Sequence, residues 1–104
     1  MSNSLITLAD ANCQIEKMIA QTREEIDFAF ESHKETGFQY YEGDRDSAEE
    51  AFDKCHTFYV QMMQIFVHSL SPDAVKSLAS WKQGIAVLQS ELNRLPAVTN
   101  SMYN

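Results

Sequence analysis

The chain has 104 residues, a formal net charge of −7, two cysteines, three glycines and two prolines. That length supports one domain with a modest core and leaves no room for a second. So little Gly and Pro excludes a many-stranded β protein, whose turns would need far more of both, and points to helices. The opening stretch MSNSLITLADANC has neither the basic start nor the apolar run of a secretory leader, and the residues before Cys13 do not form a lipidation box. The most apolar run, FYVQMMQIFV at 58–67, is about half the length of a bilayer span and is broken by Gln61 and Gln64. Cytoplasmic residence without membrane association is the expectation.

In chain order, the first predicted element is a helix over about 7–36. Its apolar face reads Leu8, Ala11, Ile15, Met18 or Ile19, Thr22, Ile26, Ala29 or Phe30, and His33, with Gly37 as the stop. A loop is expected next, holding GFQYYEGDRD and with it Phe38, Tyr40 and Tyr41. Ser47, with Glu50 three residues later, has capping-box spacing and predicts a second helix over about 46–70. Its face is Ala48, Phe52, Cys55, Tyr59, Met62, Phe66 and Ser69, broadened by Ala51, Phe58 and Ile65. Ser71 as N-cap, Pro72 at the first helical position and Asp73 near the positive end of the dipole predict a third helix over 72–95, ended by Pro96. Its seam is Ala74, Leu78, Trp81, Ile85, Leu88, Leu92 and Leu95.

These elements predict an all-α fold: an antiparallel three-helix bundle of long amphipathic helices spanning 1–104 as a single domain, with 1–6 and 97–104 as loose ends. At 1.5 Å per residue the first helix would run about 45 Å against about 36 Å for each of the others, so one end should overhang or bend. Gly84, mid-helix at a cost of roughly 1 kcal/mol relative to Ala, points to a close neighbour. Ser77, Ser80 and Gly84 form a small-residue strip, and with the overhang they favour a homodimer. Met62 and Met63 read as core filler. Cys13 and Cys55, without a CxxC partner, read as buried free thiols. Cys55 also follows Glu49, Glu50 and Asp53, a setting that works against a reactive thiolate.

Charge is segregated. Residues 1–54 carry a net −8 and residues 55–104 a net +1. Between Glu24 and Asp53 there are eleven carboxylates against only Lys34 and Arg45. Such a field attracts basic surfaces and repels nucleic-acid phosphate, so no direct DNA or RNA binding is expected. A carboxylate-rich face also serves simply as a solvated surface. Aromatics among the acids argue for an interface, because they supply contact area once a partner has docked. The candidate partner-binding residues are therefore Phe38, Tyr40, Tyr41, Glu42, Asp44, Asp46, Glu49, Glu50 and Asp53.

Other chemistry finds little support. Asp53 and His56 make an Asp-x-x-His step with Glu49 a turn away, yet a di-iron bundle needs such a step twice, and neither His33 nor His68 has an acid three residues before it. Glu42 to Asp53 has acids at positions 1, 3, 5 and 12 of a calcium loop, but Ser47 stands where the turn needs glycine. His33 and His68 read as last-turn histidines with no nucleophile in view. No nucleotide or hydrolase motif is present. The expectation is no cofactor, no metal and no enzyme activity. The leading reading is a non-catalytic interaction module, an adaptor, regulator or chaperone that binds a basic partner protein. The alternative is a nucleic-acid-mimicking inhibitor of phage or plasmid type, and a small enzyme with a spatially assembled site stands third.

Overall fold

A computed structural model describes residues 6–36 and 38–97. Three helices account for nearly all of them: α1 (Leu8–Thr36), α2 (Phe38–Phe66) and α3 (Pro72–Asn93). Every pair of helices packs together, so the all-α bundle expected from the apolar periodicity is what forms. Thr7 opens α1, its hydroxyl accepting the Asp10 N–H at 3.0 Å. Ser71 caps α3 with an extended backbone, ψ 130°, and its hydroxyl faces the Ala74 N–H, with Pro72 next in line.

The second helix differs most from expectation. It begins at Phe38, so the predicted loop around Tyr40 and Tyr41 is helical. The 4,3 apolar register extends backwards from Ala48 through Arg45 to Tyr41 and carries the helix with it. Ser47 cannot act as a cap because it lies well inside α2, where the amides it would bind are already paired along the helix. Gly43 stays within the helix with nothing within 4 Å of the position of a Cβ. The proposed Gly37 stop lies outside the described residues.

At its far end α2 stops at Phe66 rather than near residue 70. Pro72 forces Ser71 out of the helical region, and 67–71 make the turn, with the Ser69 N–H on the Phe66 carbonyl and the Ser71 N–H on the Ser69 hydroxyl. His68 thus falls just beyond the helix rather than in its last turn. α1 and α2 each have 29 residues, so α1 does not exceed α2 in length as expected.

The core follows the predicted faces closely. One buried cluster joins Ile26 and Ala29 of α1, Tyr41, Ala48, Phe52 and Cys55 of α2, and Ile85, Leu88, Leu92 and Leu95. A second joins Ala11, Ile15, Met62 and Trp81, with Ile6 and Phe66 packed against it. Along α1 and α2, Thr22 meets Ala51 and His33 meets Tyr41. Along α1 and α3, Asn12 accepts the Trp81 indole N–H at 2.8 Å, Ile19 lies over Gly84, and Arg23 pairs with Glu91 at 3.6 Å.

Two expectations change with this packing. A Cβ on Gly84 would sit 2.8 Å from Ile19 Cδ1, so the close neighbour predicted there is α1 of the same chain. Ser77 and Ser80 line the groove against α1 together with Ile19. Cys13 is exposed, whereas Cys55 is buried as expected.

Candidate functional site

The acid-rich segment lies on the end of α1 and the first four turns of α2. Helical geometry divides the candidate residues among different sides instead of gathering them on one tip. Phe38 is in the first turn of α2, and its side chain lies outside the described residues. Tyr40 is exposed, while Tyr41 is fully buried in the larger core cluster. Adjacent helix residues point about 100° apart, which is why two neighbouring tyrosines have opposite fates.

Tyr41 is anchored on three sides. Its hydroxyl donates to the Pro96 carbonyl, its ring meets His33 edge-on at 4.8 Å between centroids, and Arg45 stands one turn further along α2. Burial pushes the Tyr41 phenol above its ordinary 10.0; the Arg45 guanidinium opposes the rise through its charge and a hydrogen bond, and the Glu49 carboxylate adds to it. Arg45 pairs with Glu49 at 2.9 Å, yet its Nε is buried without a hydrogen-bond partner among the described residues. In the sequence Arg45 counts only as a base among carboxylates, although its place in the 41, 45, 48, 52 register marks it as a seam position.

The remaining carboxylates are displayed to solvent or at its margin. Glu42, Asp46 and Asp53 are exposed, and Asp44 and Glu49 are half-buried. Glu42, Asp46, Glu49 and Asp53 recur at 4, 3, 4 and so form one row along α2. Glu50 is exposed beside Lys54 at 3.7 Å, a surface pair that contributes little to stability. A shallow cleft of about 340 Å³ places Arg45, Glu49 and Asp53 opposite Gln89 and Asn93 of α3.

Packing positions His56 and Cys55 on α2. The His56 ring stacks on Phe52 at 5.8 Å and stands 6.2 Å from Tyr59. Among the described residues, no three of His, Cys, Asp and Glu come together as a group able to hold a metal ion. The Thr22 hydroxyl, buried between α1 and α2, is shared between the carbonyls of Met18 at 2.7 Å and Ala51 at 3.3 Å. The Cys55 thiol is raised above its ordinary 9.0 by burial, with a partial offset from a Thr22 hydrogen bond. No helix of the described residues is long and apolar enough to cross a membrane.

These features define a small all-α bundle domain with a charged end. Residues 11–99 match the family described as the embryogenesis-like protein helical domain, and the chain belongs to that family. The match opens on Ala11, the first fully buried residue of α1, and takes in Leu95 and Pro96, the stretch held by Tyr41. Comparison with curated proteins and with solved structures gives no match.

Proposed function

We propose that the chain is a non-catalytic helical interaction module, of adaptor, regulator or chaperone type, that binds a basic partner protein through its acid-rich half. The observation that supports this most is the display of Glu42, Asp46, Glu50 and Asp53 to solvent along α2, with Tyr40 exposed at the start of the same helix. A rigid helix holds these carboxylates in place before a partner arrives, so the charge steers encounter and the apolar neighbour adds contact. Function resides in the cytoplasm on this reading, with no cofactor and no metal.

The test is recovery of the partner from the native host, followed by binding kinetics. Reversing Asp44, Asp46 and Glu50 to Lys should slow association and remove most of its salt dependence, with little change in dissociation. A partner that is not basic, or an association rate indifferent to these reversals, overturns the reading.

Nucleic-acid mimicry draws on the same row. Glu42, Asp46, Glu49 and Asp53 rise by roughly 4.5 to 6 Å per step, a regular line of charge spaced more widely than the roughly 3.4 Å axial step of phosphates along one DNA strand. A mimic must be displaced from its partner by duplex DNA or RNA, and an adaptor binding elsewhere must not be.

A further inference from the structure

The side of the α1–α2 pair turned away from α3 carries an apolar stripe that the three-helix core covers only in part, Met18 and Phe58 packing against it from the edge. Ala51, Phe58 and Ile65 follow one another at sevens along α2. Tyr40 lies eleven residues before Ala51, which returns it to nearly the same angle on the helix. Met18 faces them from α1, and Phe28 stands on the same side, seven residues after Gln21. Of the six large apolar side chains exposed among the described residues, three belong to this flank: Phe28 at 64%, Tyr40 at 61% and Ile65 at 52% exposure. Met18, Ala51 and Phe58 are half-buried and form the floor.

The floor is recessed. Two depressions of about 240 and 410 Å³ share Met18 and Lys54 and so form one trough along the two helices. The charged residues that line it are Glu25, Glu50 and Asp53, against Lys54. Lys54 is already paired with Glu50.

We infer that this trough is the docking site for an amphipathic helix of a partner protein, apolar along one stripe and flanked by Lys and Arg. The inference rests on the interaction-module reading and gives it a surface. Two neighbouring helices present a groove into which the side-chain ridges of another helix fit, completing a four-helix arrangement. Charge selects the occupant. A second copy docking by this flank would set an acid-rich margin against an acid-rich margin, whereas a basic helix meets opposite charge on both sides. From Ser47 to Gln61 of α2 the trough runs roughly 21 Å, enough for about four turns of a docked helix anchored at i, i+3, i+4 and i+7 positions, with Tyr40 and Ile65 exposed beyond its two ends.

The test uses the full chain labelled with ¹⁵N and a synthetic amphipathic peptide, Leu along one stripe and Lys and Arg on its flanks, beside a scrambled peptide of the same composition. The patterned peptide should shift the amides of Met18, Gln21, Ala51, Lys54 and Phe58, and the scramble should bind about tenfold or more weakly. Phe28→Ser with Tyr40→Ser, both exposed and so harmless to folding, should weaken the patterned peptide by a similar factor. Ala51→Arg should remove binding by filling the floor with a cation. Equal binding of the two peptides, shifts confined to the α3 side, no binding, or affinity unchanged in the Phe28/Tyr40 double variant overturns the trough. Sedimentation showing a wild-type dimer that the double variant abolishes assigns the flank to a second copy and overturns it too. If a partner recovered from the host binds all these variants at full affinity, the trough falls and the interaction module stands. If no protein partner binds the wild-type chain, the module reading falls as well.

Discussion

The phenol of Tyr41, at the start of α2, donates its hydrogen bond to the carbonyl of Pro96, just past the end of α3. One side chain thereby ties the beginning of the second helix to the exit of the third, with Leu95 buried alongside. Tyr41→Phe keeps the ring and loses the bond, which should lower stability by about 1 kcal/mol. Tyr41→Ala should cost about 3 to 5 kcal/mol as a core truncation. The exposed Tyr40→Ala should stay within about 0.5 kcal/mol of wild type. Urea denaturation of the three variants checks the order, and similar values for Tyr40→Ala and Tyr41→Ala would contradict the placement of the two rings.

The two thiols should differ in reactivity because one is exposed and the other buried. A maleimide or disulfide reagent under native conditions should label one equivalent per chain quickly, at Cys13. Cys55 should react only on the timescale of bundle opening, and at the Cys13 rate once the chain is unfolded in denaturant. Mass spectrometry of the labelled peptides reads both. Fast native labelling of Cys55 would show that the α1–α2 seam opens readily.

Alkali should destabilise the fold through two groups. Burial raises both the Cys55 thiol, above 9.0, and the Tyr41 phenol, above 10.0. Each is therefore more easily deprotonated in the unfolded chain than in the folded one, so the folded state binds more protons in that range. Their contribution is fully present below about pH 9 and is lost as pH rises through the folded values. Melting temperature should fall from about pH 9 upward; Cys55→Ala should flatten the earlier part of the fall and Tyr41→Phe the later part. A wild-type profile level to pH 11 would contradict the sign.

The apolar seams were legible because each follows from a local rule: Ala11, Ile15, Thr22 and Ile26 on α1 and Ala74, Trp81, Ile85 and Leu88 on α3 are buried where their spacing puts them. The start of α2 was not, because three local signals disagree with the packing. Gly37 and Gly43 weaken helix propensity, Ser47 with Glu50 imitates a start, and Arg45 occupies a seam position that periodicity normally reserves for an apolar side chain. Burial of Tyr41 and Ala48 overrides all three. The acid segregation was visible in the sequence, but its division into a solvent row, a seam ion pair and a trough margin was hidden by the expected loop. A loop has no fixed angular relation between successive residues, whereas a helix imposes one.

The two described glycines inside helices separate propensity from packing. At Gly43 a Cβ would meet nothing, so Gly43→Ala should raise stability by about 0.5 to 1 kcal/mol through helix propensity alone. At Gly84 the same propensity gain is opposed by Ile19 Cδ1, 2.8 Å from the new methyl. That atom is the tip of a side chain that can turn, so Gly84→Ala should fall near neutral rather than unfold the bundle. Ile19→Val removes the opposing methyl. Gly84→Ala introduced into Ile19→Val should therefore recover the gain seen at Gly43, giving a coupling of roughly 0.5 kcal/mol or more between positions 19 and 84 in a double-mutant cycle. Equal gains at both glycines with no coupling would mean that α1 does not press on α3 at this point.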